Sequence, residues 1–577
     1  MRKIVSVFAI TLCIGQTVMA QIKTVTIRVI QTSDVHGCFF PYDFVNRKPK
    51  EGSLARVSSY VNELRKQYGK NVILLDNGDI LQGQPTCYYS NYIKPKDQNV
   101  AAAVVNYMKY DACTVGNHDI ETGHAVYDKW INEIKSPVLG ANVISTSTGK
   151  PYLKPYTVFE RDGIKLAVIG MITPAIPNWL SSDLWSGLSF EDMVVSARKW
   201  VDYIKQNESP DIIIGLFHSG RTGGITTHTY SENESERVAR EVPGFDIVLF
   251  GHDHIRYEGD VKNVNGDNVI CLNPSNNALN VCDATVKVVK DGTKTLSKEV
   301  TGHTVNICDQ PIDESFTSHF KPEIDSVNAY VNRVIGRFES SLYTRDCYFG
   351  SSAFTDFIHN MQLKLTKADV SFNAPLSFDE CIPKGNVRIS DMFNLYKYEN
   401  KIYVLRMTGE EIRKHLEMSY DLWTNTITSP DEHIMQIESI NDGGKKRYRF
   451  KNPSFNFDSA AGIDYVVDVT KPCGRKVKIL RMSDGRPFDE HKWYRVAMNS
   501  YRGNGGGELL TKGAGIPLEE ISKRIVWKSE HDQRFYLTQE IEKEHVLNPK
   551  ANGNWKFVPE LLASESMAKD RTLLFGK

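Results

Sequence analysis

Five short polar segments carry residue types that suit a metal centre. They are Asp34-Val35-His36-Gly37, Asp76-Asn77-Gly78-Asp79, Gly116-Asn117-His118-Asp119, His218-Ser219-Gly220 and Gly251-His252-Asp253-His254. Carboxylate, imidazole and amide-oxygen donors together suit borderline divalent ions such as Zn²⁺ or Mn²⁺. His252 and His254, two positions apart, project to one face of an extended loop. A carboxylate such as Asp79 can bridge two ions roughly 3.5–4 Å apart, the spacing of a two-metal hydrolase. A glycine beside each ligand lets the backbone turn sharply after a strand. Each segment alone reads as an ordinary loop, whereas five in this order do not. The remaining histidines, His359 and His415 among them, stand outside such segments and read as surface or hydrogen-bonded residues.

Elements that would bring these segments together are visible as apolar runs. Residues 24–30 are strand-like, and 72–75, 166–172, 212–217 and 245–250 are β-branched and apolar and predict buried strands. Leu54, Val57, Val61 and Leu64 fall at helical spacing and predict a helix over 53–68. This alternation is an α/β pattern, and four of the five segments directly follow a strand-like run. Ligands in open α/β sheets gather at the carboxyl ends of strands, so distant loops can meet there. From about 315 to 338 the pattern changes to one long polar helix with Phe320, Ile324, Val327, Val331 and Ile335. Further on, Thr408 with Glu411 three residues later predicts a capping box ahead of Ile412 and Leu416. The expected organisation is an N-terminal domain over 21–310, a linker helix over 311–339 and a C-terminal domain over 340–577.

A chain of 577 residues exceeds one compact core, and 41% hydrophobic with 24% charged residues is ordinary globular composition. Lys+Arg and Asp+Glu are both 70, so no bulk positive field exists for a nucleic-acid polymer or an anionic membrane. The only long apolar run follows Met1-Arg2-Lys3 and ends at Val18-Met19-Ala20. It reads as a signal peptide over 1–20, which implies a secreted or periplasmic protein with no transmembrane anchor after cleavage. Of the ten cysteines, Cys13 lies in that leader and an odd number remains, irregularly spaced and without C-x-x-C. The spacing is not a disulfide framework, and leaves room for one bridge, for example Cys271–Cys282. No protein partner is evident.

The five segments, as D-x-H, G-D, G-N-H, H and G-H-x-H, resemble the signature of calcineurin-like metallophosphoesterases. Nearly all of the chain after the leader is similar to the secreted 5′-nucleotidase / 2′,3′-cyclic-nucleotide phosphodiesterase branch. The resemblance implies an α/β fold: a metallophosphoesterase β-sandwich flanked by helices, a linker helix and a separate α/β substrate domain. It implies two divalent ions, one held by Asp34, His36, Asp79 and His254, the other by Asp79, Asn117, His218 and His252. His118 would be the catalytic histidine, and Glu121 stands where the family has an Asp that orients it.

The resemblance also bears on the substrate, a small nucleotide. Family members sandwich the base between two aromatic rings, which by motif position would be Tyr501 and Phe455, with Phe457 on the same strand face as Phe455. Asn373 opens Asn373-Ala374-Pro375-Leu376-Ser377, which lacks the glycines and arginine of the 5′-nucleotidase phosphate clamp. That stretch is similar to bacterial 2′,3′-cyclic-nucleotide 2′-phosphodiesterase/3′-nucleotidases, as are Leu395-Tyr396-Lys397-Tyr398-Glu399-Asn400 and Asn499-Ser500-Tyr501-Arg502. Gly507 stands where 5′-nucleotidases carry a ribose-contacting Asp. The implied activity is hydrolysis of 2′,3′-cyclic nucleotides and 3′-nucleotides. The alternatives are a 5′-nucleotidase or UDP-sugar hydrolase, and a non-catalytic nucleotide- or metal-binding surface protein.

Overall fold

The computed structural model describes residues 22–442 and 445–576, so the leader read at 1–20 lies outside the described residues. Two six-stranded sheets pack face to face. The first runs in the order Lys294–Asn306, Asn280–Asp291, Ile22–Thr32, Val72–Asp76, Ala112–Thr114, Val138–Leu139. The second runs Tyr257–Lys262, Asn268–Asn273, Ile247–Phe250, Ile212–His218, Ile164–Ile172, Tyr156–Arg161. Val25, Ile27, Val29, Ile73 and Leu75 meet Leu166, Val168, Ile212, Ile214, Ile247 and Leu249 in the layer between them, all buried. Helices Leu54–Tyr68, Val100–Met108 and His124–Glu133 cover the outer face of the first sheet, and Met193–Asn207 and Ser235–Glu241 that of the second. With both faces covered, the central strands are apolar along their whole length, which is why they stood out as continuous runs.

The central strands of each sheet are parallel. Ile22–Thr32, Val72–Asp76 and Ala112–Thr114 point one way in the first sheet, as do Ile164–Ile172, Ile212–His218 and Ile247–Phe250 in the second. All five polar segments leave the carboxyl ends of such strands and meet along one edge of the sandwich.

The expected linker helix is not continuous. Residues 315–338 form two helices, Glu314–His319 and Lys321–Asn332, and then the strand Val334–Phe338. Pro322 starts the second helix because its ring is tolerated only in a first turn. The β-branched Val334-Ile335 pair continues as a strand against Gly385–Arg388. Phe316, Phe320, Val327 and Val331 are buried in the N-terminal core, with Phe316 and Phe320 against Phe40. The helical part of the connector is therefore fastened to the N-terminal domain.

The C-terminal domain is built on a five-stranded sheet in the order Ser459–Ala461, Val370–Asn373, Trp493–Asn499, Lys401–Thr408, Ile525–Asp532. Helix Gly409–Trp423 begins with the predicted capping box: the Glu411 N–H donates to Thr408 Oγ1 and the Thr408 N–H donates to Glu411 Oε2 at 2.8 Å. The two domains meet through Tyr88 Oη donating to Asp532 (2.8 Å), Lys528 against Asp183 (3.2 Å) and Asn400 donating to Glu121 (3.4 Å).

All nine described cysteines are free thiols. Cys271 faces the outer helical layer and Cys282 the sandwich interior, so the bridge suggested by their spacing does not form. Among the described residues no helix is long and apolar enough to cross a membrane.

Candidate active site

The loops at the sandwich edge hold an unusual backbone. Asp34, His36, Asp79, His252 and His254 all adopt left-handed φ, between 49° and 74°. That conformation costs a residue with a Cβ roughly 1–2 kcal/mol, and it persists where surrounding contacts over-determine it. Those contacts are present. The Asp34 N–H donates to Gly78 O (3.0 Å), the His36 N–H to Asp79 O (2.9 Å) and the His252 N–H to Asp34 Oδ2 (3.1 Å). Asp119 is buried and accepts from four backbone N–H groups, those of Asp79, Ile80, Leu81 and Gly116, at 2.8–2.9 Å. The glycines do not all serve as turn residues. Gly37 and Gly78 have positive φ, but at Gly116 a Cβ would stand 2.1 Å from Asp79 Oδ1, and at Gly251 2.0 Å from Ser33 Oγ. These last two are required for close approach.

The side chains converge on two points. Asp34, His36 and His254 place donor atoms within 4.8 Å of one another, and so do Asp34, Asp79 and His218. Around the second point, His218 Nε2 lies 3.2 Å from Asp79 Oδ2 and 3.1 Å from Asn117 Oδ1, and His252 Nδ1 lies 2.8 Å from the same Asn117 oxygen. Around the first, His254 Nε2 lies 3.3 Å from Asp34 Oδ1 and 3.1 Å from His36 Nε2, which is 4.0 Å from Asp79 Oδ2.

All four imidazoles have their other nitrogen engaged: His218 Nδ1 donates to Asn77 O (2.7 Å), His36 Nδ1 to Gln82 O (3.1 Å) and His252 Nε2 to Glu232 Oε1 (3.0 Å), while His254 Nδ1 meets the side-chain amide of Asn276 (2.9 Å). In their neutral forms His218, His36 and His252 then turn lone pairs inward, which together with the carboxylate oxygens and Asn117 Oδ1 surround both points with acceptors. A ring of acceptors fits a cation, and the N/O donor set fits a divalent one.

Electrostatics agree. Burial opposes charge on Asp34 and Asp79, yet the neighbouring histidines, His218 above all, hold both carboxyls below the usual range. His218 is pushed up to about 10, burial being outweighed by Asp79 and Asp34. His36 goes the other way, to about 4, because burial dominates. A field that holds a proton at His218 also attracts a metal ion, and binding exchanges one for the other. Asp76 lies apart from this set: burial lifts it to about 8, with Thr32 Oγ1 and the Gly78 N–H donating to it, and it acts as a strand-end turn residue.

His118 borders both points without joining either. Its N–H donates to Asp79 Oδ1 (2.8 Å) and its Nδ1 to Glu121 Oε2 (2.7 Å). Burial disfavours its charge, but Asp79 and Glu121 outweigh this and lift it to about 9. Glu121 Oε2 also accepts from Gln82 Nε2 (3.1 Å).

A cavity of about 480 Å³ opens from His118 between the domains, walled by Trp179, Leu180, Tyr398, Phe455 and Tyr501. A second, polar cavity of about 350 Å³ lies on the other side of His118, beside His36 and His254, and carries Lys397 with Asn46, Gln82 and Gln84. Phe455 and Tyr501 face each other edge to face, 6.1 Å apart at 90°, so they line the cleft without forming parallel plates.

Two residues read as substrate contacts are elsewhere. Phe457 is fully buried and stacks on Trp423 at 5.3 Å; Ser454–Asn456 is a helical turn, so Phe455 and Phe457 do not share a strand face. Asn373 ends a buried strand, is 1% exposed and donates only to its neighbour Ala374 O; Leu376 takes the place on the cavity wall.

Four residues of the site had no role in the sequence reading. Asp119 and Tyr398 lay inside quoted stretches, so their signal was present. Glu232 lies on the short strand Ser231–Asn233 and Trp179 on a loop, neither within a motif, and only folding brings Glu232 to His252 and the Trp179 ring to 5.7 Å from it.

Residues 27–256 match the calcineurin-like phosphoesterase family and residues 334–512 match the 5′-nucleotidase C-terminal domain. The 2′,3′-cyclic-nucleotide 2′-phosphodiesterase/3′-nucleotidase of Haemophilus influenzae is 26% identical over 93% of this chain and 88% of its own length. The trifunctional nucleotide phosphoesterase protein of Bacillus subtilis is also 26% identical over 93% of this chain, which spans 39% of that longer relative. A Staphylococcus aureus structure described as a 5′-nucleotidase shares the fold, with a TM-score of 0.73 and 21% identity over 92% of this chain and 99% of that one. The chain therefore belongs to the calcineurin-like metallophosphoesterases that carry a 5′-nucleotidase C-terminal domain, and it is a metal-dependent phosphoester hydrolase.

Proposed function

We propose that the protein hydrolyses 2′,3′-cyclic nucleotides to 3′-nucleotides, and these to nucleoside and phosphate. The observation that carries the reading is the aromatic-walled cavity opening directly from His118 and the acceptor-ringed points beside it. Among the described lining residues of this cavity and of the polar one beyond His118, none is arginine, which favours the cyclic branch over one with an arginine phosphate clamp. The relatives from Haemophilus influenzae and Bacillus subtilis support the same substrate class by their names.

Asp34, His36, Asp79 and His254 would hold one ion and Asp79, Asn117, His218 and His252 the other, with Zn²⁺ or Mn²⁺ matching the donors. Bound there, such ions lower the pKa of water toward neutrality and polarise the phosphate. His118, its Nδ1 fixed by Glu121, turns Nε2 toward the ester and donates a hydrogen bond to the departing ribose oxygen. Tyr501, Tyr398, Phe455 and Trp179 enclose the base; base–aromatic stacking contributes about 1–3 kcal/mol and tolerates any base. Reading Met1–Ala20 as a leader supports a secreted or periplasmic location.

A 5′-nucleotidase or UDP-sugar hydrolase is the second reading, and Lys397 in the polar cavity favours it as a cation for a terminal phosphate. Chelated protein reconstituted with Mn²⁺ or Zn²⁺ and offered 2′,3′-cAMP, 3′-AMP, 5′-AMP and UDP-glucose separates the two. Preference for the first pair supports the proposal; preference for 5′-AMP or UDP-glucose transfers the assignment to the second reading.

A further inference from the structure

Behind the cleft, a single buried guanidinium joins the two loops that present the aromatic rings. Arg502 is 2% exposed. Its Nε donates to Asp458 Oδ2 (2.8 Å) and its Nη2 reaches Asp458 Oδ1 (3.3 Å). The same Nη2 donates to Phe455 O (2.9 Å) and Asn456 Oδ1 (3.3 Å), and Nη1 donates to Gly506 O. Asp458 is held in turn by His415 Nε2 (2.8 Å), whose ring stacks flat on Phe372 at 4.1 Å.

The junction leaves no slack. A Cβ on Gly507, where φ is +69°, would stand 2.0 Å from Asn456 Oδ1 and 2.4 Å from Arg502 Nη1. A Cβ on Gly506 would stand 2.5 Å from the Tyr501 ring. The glycine run after Tyr501, which the sequence marks only as a turn, is thus the surface on which the ring and the guanidinium rest. With both loops held, the Phe455 and Tyr501 rings can adapt to a base by rotating about their own side-chain bonds, from the edge-to-face arrangement they now have.

We infer that Arg502 is a positioning residue for nucleoside recognition: it clasps the loop of Phe455 to the loop of Tyr501 and fixes the spacing of the two rings. The inference rests on reading this cleft as the nucleoside site. Arginine is required because its planar fork addresses a carboxylate and three other acceptors at once, whereas lysine is a point charge without that geometry.

The test compares 2′,3′-cAMP with ethylene phosphate, a five-membered cyclic phosphodiester that has no base, on the full chain loaded with Mn²⁺. Arg502→Lys keeps a cation opposite Asp458 and removes the fork. The preference in kcat/KM for the nucleotide should fall about tenfold or more, within the range that lost stacking allows, and the loss should appear in the nucleotide KM. Gly507→Ala attacks the same junction from the glycine run, by crowding Asn456 and the guanidinium while both Arg502 and Asp458 remain in the chain, and should shift the preference in the same direction. It also serves if Arg502→Lys does not fold, which a melting curve reveals. A preference unchanged in both variants, whether both rates hold or both fall in step, overturns the clasp. A wild-type protein that does not prefer the nucleotide over ethylene phosphate overturns instead the nucleoside reading beneath it.

Discussion

Replacing Glu232 should weaken one of the two metal points and spare the other. Glu232 Oε1 accepts from His252 Nε2 at 3.0 Å, which leaves His252 Nδ1 as the lone pair facing Asn117 Oδ1. Burial opposes the charge on Glu232, but His252 holds its carboxyl below the ordinary glutamate range, so it is ionised at neutral pH and the bond is charge-assisted. Such bonds are about twice as strong as neutral ones. Glu232→Gln keeps an acceptor and loses the charge, a cost of about 1 kcal/mol, or roughly fivefold in affinity. Glu232→Ala frees the ring altogether and should cost about 10–100-fold, the usual effect of losing a carboxylate behind a metal histidine. Asp34, His36 and His254 have no bond to Glu232, so the other point should keep its affinity. Metal-free protein titrated with Zn²⁺ against a chromophoric chelator resolves the two steps, and a melting curve controls for folding. Equal weakening of both steps, or of neither, would refute the reasoning.

Three further outcomes are expected. His118→Ala should lower kcat by about 10²–10⁴-fold while metal content stays at two equivalents, since the ring is bonded to Glu121 and ligates nothing; an unchanged kcat removes it from the mechanism. Phe457→Ala should destabilise the protein by about 3–5 kcal/mol in urea unfolding and leave the nucleotide KM of the folded protein near wild type; the opposite pattern would return Phe457 to the cleft. His359 is buried between Ser371 and Ser459, and burial pushes it down to about 3. The unfolded chain therefore binds the extra proton, and stability falls as pH drops from about 6.5 toward 3, by about 1.4 kcal/mol per unit. His359→Gln should flatten that slope between pH 6.5 and pH 5, and equal slopes in both proteins would show that His359 is not its source.

What the sequence disclosed and what it withheld follow one physical division. The strands of the sandwich are buried on both faces, so they appear as unbroken apolar runs, and the loops at their carboxyl ends carry polar groups that no core would retain. Both signals are local. The capping box at Thr408 and Glu411 is local too, and was legible for that reason. Residues 315–338 misled because apolar spacing at 320, 324, 327, 331 and 335 suits a helix up to the point where Val334 and Ile335 pair with a strand from another part of the chain. Phe455 and Phe457 misled because alternation was assumed where the backbone makes a helical turn. Glu232 and Trp179 gave no signal at all, since their partner His252 is distant in sequence.

The same division runs through the site itself. The two candidate metal points lie on the N-terminal sandwich, where strained loops are locked by backbone hydrogen bonds, while Phe455, Tyr398 and Tyr501 lie on the C-terminal domain. Glu121 is one of the places where the two parts touch. One of its oxygens accepts a hydrogen bond from His118 Nδ1 and the other accepts one from the Asn400 amide of the opposite domain. An aspartate at this position, one methylene shorter, could orient the imidazole but could not also reach across the cleft. The longer side chain ties His118 to the C-terminal domain, so in the proposed reaction the group assigned to the departing oxygen would be aligned by the domain proposed to receive the nucleoside.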